Sequence, residues 1–280
     1  MPFVANRAFG WTPVEITPDW GLRTIKCGMA YPLCNSLQCQ DCGLVFLDIR
    51  FSEVEMTALY QGYRGAEYAA QRDLFEPGYA QVNAAMLADT PDTSKAEAFL
   101  APHLPPLPRV LDWGGASGDN SPFRATAAAL DVFDISEQPV IAGARRVGLA
   151  DLEDAHYDLV VLSHVLEHVP DPGETVRAAA RAMDEGAILY VEVPYEGLIA
   201  ADPASHDLAA LKRYWHEHIN FFTEASMRAL LARCGLEVVA LHTRPMASLA
   251  NINQVLAVAC RLAAPQIQTT RMRTNAHGQA

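Results

Sequence analysis

Apolar positions along this chain follow two rhythms. Between about residue 105 and residue 262, short unbroken apolar runs alternate with segments of helical spacing. The runs predict strands over Val110–Trp113, Leu130–Ile135, Arg146–Leu149, Tyr157–Leu162, Ala187–Val193, Leu236–His242 and Asn253–Ala259. The spacing between them predicts helices near Ser121–Ala129, over Pro172–Met183 and over Glu224–Cys234. Strands alternating with helices imply an α/β fold with a mainly parallel, doubly wound sheet of seven strands. The last two strands have no helix between them, only the link Thr243–Ile252, so the final strand is expected antiparallel to its predecessor.

Upstream the pattern changes. Residues 1–85 scatter Trp11, Trp20, Tyr31 and Phe46 among prolines and glycines, which predicts an irregular module with short strands. Within it, Arg50–Tyr68 carries Val54, Met56, Leu59, Tyr60 and Tyr63 at helical spacing, interrupted by Gly62 and Gly65. A helix is expected over Glu76–Phe99, and the prolines of Pro102–Pro108 deliver the chain to the first long strand. Three units follow: 1–85, a main domain over 86–265, and a polar segment over 266–280 that reads as a disordered tail.

Charge narrows the function classes. Lys and Arg number 21 against 33 Asp and Glu, a net charge of −12, which disfavours a nucleic-acid partner or an anionic membrane surface. No apolar stretch approaches the length of a membrane span, and the start MPFVANRAFGWTP lacks a basic segment followed by an apolar run. The expected compartment is therefore the cytoplasm. Six cysteines then read as reduced thiols or metal ligands. Cys39 and Cys42 form C-Q-D-C-G, a turn that suits zinc, with Cys27 and Cys34 as the other candidate ligands. These two stand too far apart to make a second close pair, so incidental cysteines remain the alternative.

The first long strand ends R-V-L-D-W-G-G-A-S-G, an acid (Asp112) followed by Gly114, Gly115 and Gly118. Glycines there let the backbone approach a ligand, and no lysine follows to hold a triphosphate. The second strand ends L-D-V-F-D-I-S, and Asp134 rather than Asp131 is the candidate acceptor for ribose hydroxyls, a helix cap being the alternative. The fourth strand runs into S-H-V-L-E-H-V-P-D-P, with His164, Glu167 and His168. This set resembles the class I S-adenosylmethionine (SAM)-dependent methyltransferases, over roughly residues 105–262. The resemblance implies a seven-stranded Rossmann-like methyltransferase sheet with SAM as cofactor. It places Asp112, Gly114, Gly115, Gly118, Asp134, Asp151 and His164 around SAM, Asp151 facing the adenine amino group.

The insertion after the fifth strand carries R-Y-W-H-E-H-I-N-F-F-T, Arg213–Thr223. Imidazole is the natural base near neutral pH, and an adjacent carboxylate can orient it. The segment resembles a methyltransferase subfamily with an N-terminal C-x-x-C-G segment, which includes C-methyltransferases of nucleotide-linked deoxysugars. That likeness implies Glu217 and His218 as the base pair, with His168 and a tyrosine of the N-terminal segment as further polar candidates; His216, two residues before His218, is a further catalytic candidate from the sequence itself, a metal-holding pair with His218 being its alternative. The function expected is methyl transfer to a small polar, sugar-derived or secondary-metabolite acceptor, a nucleotide sugar among the candidates, with carbon favoured over oxygen. An O-methyltransferase of other small molecules and a non-catalytic partner-binding protein remain the alternatives.

Overall fold

The structure is a computed structural model that describes residues 2–30, 34–89, 91–136, 138–153, 156–195, 217–245 and 254–264. The N-terminal part contains helix α1 (Pro2–Phe9), the short strands β1 (Val14–Glu15), β2 (Met29–Ala30), β3 (Ser36–Gln38) and β4 (Val45–Leu47), and helices α2 (Glu53–Tyr60), α3 (Ala66–Asp73), α4 (Tyr79–Ala88) and α5 (Ser94–Leu100). Then come β5 (Arg109–Trp113), β6 (Ala129–Phe133), β7 (Ala144–Arg146), β8 (Tyr157–Ser163), α6 (Pro172–Ala180), β9 (Met183–Pro194), β10 (Asn220–Phe221), α7 (Glu224–Arg233), β11 (Leu236–Pro245) and β12 (Gln254–Leu262).

Seven of these strands form one sheet in the order β11-β12-β9-β8-β5-β6-β7. The run from β9 to β7 is parallel, and β12 lies antiparallel between β9 and β11. The central strands are continuous apolar runs because both faces are covered. Along β8, Leu159 and Val161 enter one core with Val110, Val132 and Tyr190, while Val160 and Leu162 enter the other with Leu111, Leu189 and Val258. Each such fully buried Val or Leu contributes about 1.5–3 kcal/mol. Successive strands leave the middle in opposite directions, to β6 on one side of β5 and to β8 on the other. The crevice at their carboxyl ends is where ligands bind in open α/β sheets.

Several predicted elements differ. Ser121–Ala129 is a string of turns, not a helix. Phe123 sits at φ 62°, and its N–H is donated to the Glu97 carboxylate of α5 at 2.8 Å, which takes the backbone off a helical path. The third strand falls at Ala144–Arg146, and Leu149–Leu152 is a 3-10 turn. The single helix expected over Glu76–Phe99 is two, α4 and α5, and α4 straddles residue 85. Arg50–Tyr68 holds α2, closed by a Ser52–Glu55 capping box, and the start of α3, with the break at Gly62 (φ 63°) and Arg64 (φ 58°). The N-terminal region also opens on a helix, α1, whose Phe3 and Val4 are fully buried. The tail 266–280 lies outside the described residues.

The N-terminal region is joined to the main sheet through the insertion. Strand β10 pairs antiparallel with β4, Asn220 opposite Phe46 and Phe221 opposite Val45, completing a three-stranded sheet with β3. A third core unites Phe3, Val4, Leu47, Phe51, Leu59 and Tyr68 with Ile219 and Phe221.

Candidate active site

At the end of β5 the chain turns through Gly114 (φ 83°) and Gly118 (φ 86°), a region that disfavours side chains. A Cβ on Gly114 would lie 2.6 Å from Val165, so the loop after β8 packs directly on this turn. A Cβ on Gly115 would lie 2.3 Å from the Asp112 carboxylate. Asp112 is buried and accepts a hydrogen bond from the Ser121 hydroxyl. Burial pushes its pKa up to about 6, the charge of Asp134 adds to that, and the Ser121 bond opposes it.

Asp134 ends the turn after β6. Its carboxylate accepts from the Ala116 N–H at 2.8 Å and the Ser136 N–H at 2.6 Å, pinning the glycine turn to β6. A carboxylate has about four acceptor positions, so about two remain for a ligand. The rejected alternative, Asp131, is occupied elsewhere: Arg145 grips it at 2.9 and 2.7 Å and the Tyr157 hydroxyl donates at 2.6 Å. Asp151 is exposed and accepts from the Gly148 N–H at 2.7 Å. Beside these acids stand the exposed apolar side chains Ile135 and Leu149. Acceptor oxygens next to exposed apolar faces at the carboxyl edge fit the ribose and adenine of a nucleoside cofactor. Sequence reasoning missed Arg146, whose guanidinium donates to the Ala116 and Gln138 carbonyls and ties the glycine turn to the chain before β7. Its only signal was a second arginine at a strand end.

The loop after β8 carries the densest charge. His164 sits at φ 55° with Nδ1 3.3 Å from Glu167 and Nε2 3.3 Å from Glu192. Burial opposes its charge, but the two carboxylates outweigh that and carry its pKa to about 10. Glu192 is also buried, yet His164, Tyr190 and Arg244 hold its carboxyl at about 2. His164 is thus an ion-pair centre of the β8 loop.

His168 and the insertion residues meet on the far side. The His168 and His218 rings are edge to face with centroids 4.8 Å apart, and Tyr60 contacts His168 the same way at 6.1 Å. Burial lowers the pKa of His168, which favours neutral imidazole. Glu217 behaves differently from the sequence expectation of a carboxylate orienting His218. Its carboxylate accepts from Arg72 at 2.5 Å and from the Tyr68 hydroxyl, both on α3. Burial would raise its pKa, but the Arg72 charge, helped by His168, the Tyr68 hydrogen bond and His218, brings it below the usual value. Its backbone carbonyl lies 3.2 Å from His168 Nδ1.

Asn220, another residue that sequence reasoning passed over, straps these pieces together. Its amide donates to the Leu166 and Val169 carbonyls at 2.9 and 2.8 Å, while the Ile219 and Asn220 N–H groups donate to the Glu167 carbonyl at 2.7 and 3.1 Å. A buried amide inside an aromatic run was the available signal. His216 lies outside the described residues.

The cysteine zinc site expected from the sequence is not supported. Cys39 and Cys42 share a hairpin turn, and the Cys42 and Asp41 backbone N–H groups followed by the Cys42 thiol hold the Cys39 thiol below its usual pKa. Cys27 is exposed on the separate β1–β2 arm, and Cys34 packs into the third core. Among the described residues, the only group of three or more His, Cys, Asp or Glu side chains close enough to share an ion is Glu167, His168 and His218. No helix among the described residues is long and apolar enough to cross a membrane.

Comparison with known proteins agrees with this architecture. A curated relative from Nitrosospira multiformis, a ubiquinone biosynthesis O-methyltransferase, is 30% identical over 113 residues, covering 38% of this chain and 47% of its own length. One of the same name from Hahella chejuensis is 31% identical over 153 residues, 48% of this chain and 64% of its own. The chain thus spans between about a third and two thirds of the length of the curated relatives it matches. Among solved structures, the 1,6-didemethyltoxoflavin-N1-methyltransferase of Burkholderia thailandensis, solved with 1,6-didemethyltoxoflavin and S-adenosylhomocysteine, superposes with a TM-score of 0.52 at 20% identity. That match covers 81% of this chain and 97% of that one, and it speaks for the fold. The family model described as "Methyltransferase domain" matches residues 88–241, more than half of the chain. With the glycine turn, the acid after β6 and the antiparallel β12, that match establishes that the chain belongs to the class I SAM-dependent methyltransferase family.

Proposed function

We propose that this protein transfers the methyl group of SAM to an oxygen of a small polar acceptor bound between the β8 loop and the N-terminal region. SAM supplies a methyl group already activated by its sulfonium, so the chain's own residues have to bind, align and exclude water. Asp134 is the acceptor for the ribose hydroxyls, Ile135 and Leu149 offer faces for the adenine, and the Gly114–Gly118 turn receives the amino-acid end. The observation that carries the reading is the juxtaposition of His218, from the insertion, with His168 on the β8 loop, which packs through Val165 on that glycine turn. A neutral imidazole there can take the proton that an acceptor hydroxyl gives up. Glu217 has the supporting part: with its carboxylate held by Arg72 and Tyr68, it fixes the backbone next to His218. The curated relatives, named as O-methyltransferases, favour oxygen. A second reading, C-methylation of a nucleotide-linked sugar, is favoured by the H-E-H-I-N-F-F segment.

The test has two arms. Asp134→Ala should weaken SAM binding by calorimetry by about 1–3 kcal/mol. His218→Ala should slow the chemical step by about 10²–10⁴-fold in single-turnover kinetics while SAM affinity stays near wild type. Unchanged SAM affinity in the first variant, or a chemical step slowed less than tenfold in the second, counts against the assigned roles.

A further inference from the structure

We propose that Glu167, His168 and His218 form a binding site for one divalent first-row transition-metal ion, with open positions that face the acceptor. One ligand atom from each side chain lies within 4.8 Å of the other two. Ligand atoms about 2.1 Å from a tetrahedral ion stand about 3.4 Å apart, so the three need to close by at most about 1.4 Å. His168 Nε2 and Glu167 Oε1 are already at 3.7 Å.

The hydrogen bonds argue for a cation between them. The Glu217 carbonyl can only accept, so His168 Nδ1, 3.2 Å away, carries the ring proton in the neutral form. Nε2 then presents a lone pair to a carboxylate oxygen, an arrangement that repels unless a cation lies between. A proton on Nε2 would relieve this only as an ion pair too long for a hydrogen bond, whereas an ion about 2.1 Å from each atom fits the 3.7 Å gap. Fixing one ring nitrogen on a backbone carbonyl, leaving the other for the ion, is the usual support for a metal-bound histidine.

Glu167 gives the second, independent observation. It is 1% exposed, and neither carboxylate oxygen has a hydrogen-bond partner; His164 Nδ1 lies 3.3 Å away at an angle that makes no hydrogen bond. The His164 charge, shared with Glu192, meets Glu167 from one side only, and both Glu167 oxygens keep acceptor positions open to an ion. The site is also built to hold its shape. The Ile219 and Asn220 N–H groups donate to the Glu167 carbonyl, and the Asn220 amide clamps the carbonyls on either side of the Glu167–His168 pair. The two histidines thus come from segments already strapped together.

Two imidazole nitrogens and one carboxylate oxygen are the donor set of open zinc and non-haem iron(II) sites, in which water or substrate completes the coordination. An acceptor oxygen bound there would lose its proton more readily, and in that ion-loaded form the ion stands in for the free imidazole base, because a ring nitrogen that ligates it cannot also take the proton. This last consequence rests on the proposed methyl transfer to oxygen, whereas the ion binding does not. Ion binding is therefore measured without SAM or acceptor, and its failure leaves the methyl-transfer reading standing.

The experiment uses the full chain with Cys39→Ser and Cys42→Ser, stripped with a chelator and titrated with Co²⁺, followed by competition with Zn²⁺. The expected result is one Co²⁺ per chain, with the visible ligand-field absorption of a four- or five-coordinate ion and no thiolate charge-transfer band. Zn²⁺ should displace it. Glu167→Gln, close in shape to the native residue, should weaken Co²⁺ binding by about tenfold or more, and His218→Asn likewise, with metal-free circular dichroism unchanged. No Co²⁺ uptake by the parent overturns the proposal. So does uptake that Glu167→Gln leaves as tight as before, even if His218→Asn fails to fold.

Discussion

Asp112 is an acid folded into the base of the glycine turn, 3% exposed, against the Gly115 backbone. Its pKa, about 6 when folded, stands above the ordinary aspartate value, so the folded state binds the proton more tightly than the unfolded one. The stability this group contributes is complete below about pH 4 and is lost as pH rises through about 6. A shift of roughly two units corresponds to about 3 kcal/mol. Asp112→Asn keeps an oxygen for the Ser121 hydroxyl and removes the titration. Urea unfolding at pH 4.5 and 7.5 should show the variant gaining on wild type at the higher pH. Parallel behaviour at both values would mean that Asp112 does not carry this proton. Much of this residue-scale chemistry was legible beforehand. Asp112 and the three glycines sit in one short motif whose local geometry sets the sharp turn after β5, and Asp134 stands at the end of the next strand. Glu217 was not, because its partners Tyr68 and Arg72 come from a distant helix, and sequence adjacency pointed to His218 instead.

At the scale of elements, the site depends on how the β8 loop and the insertion are tied. Asn220 is 1% exposed, and its side chain satisfies two carbonyls of that loop. Asn220→Ala leaves both without this donor, at a cost of about 1–3 kcal/mol in denaturant unfolding. Because the loop carries His168, acceptor turnover should fall more than SAM affinity does. A variant as stable as wild type would show the strap to be ornamental. The strands β5 and β8 were readable because burial on both faces makes them unbroken apolar runs. The turns at Ser121–Ala129 were misread as a helix because alanine-rich sequence favours one. Glu97 in α5 overrides that preference by taking the Phe123 N–H, and Arg124 adds bonds to Thr93 and Pro91.

For the whole molecule, the question is whether residues 1–85 form a separable unit. The third core contains Ile219 and Phe221 beside Phe3, Leu47 and Tyr68, and Glu217 keeps its charge inside the protein through α3. Removing residues 1–85 would expose those apolar side chains and leave a buried carboxylate without its cation, which is strongly destabilising. The truncated chain should bind a hydrophobic dye and melt well below the full protein. A fragment that melts at the same temperature with native-like near-ultraviolet dichroism would establish independence. None of this was legible in the sequence, since β4 and β10 are three- and two-residue strands with no pattern to announce a pairing.

The β4–β10 pairing also bears on how such proteins can be recombined. Val45 meets Phe221 across most of the chain, so the wall beside the proposed acceptor site is written in two separated stretches. Exchanging only the first 85 residues with those of a relative would set a foreign β4 against the native β10 and a foreign α3 against the native Glu217. The transplantable unit for changing acceptor preference is therefore the N-terminal region together with residues 217–221. Chimeras that move both should fold and inherit the donor's preference, where those that move one should do neither.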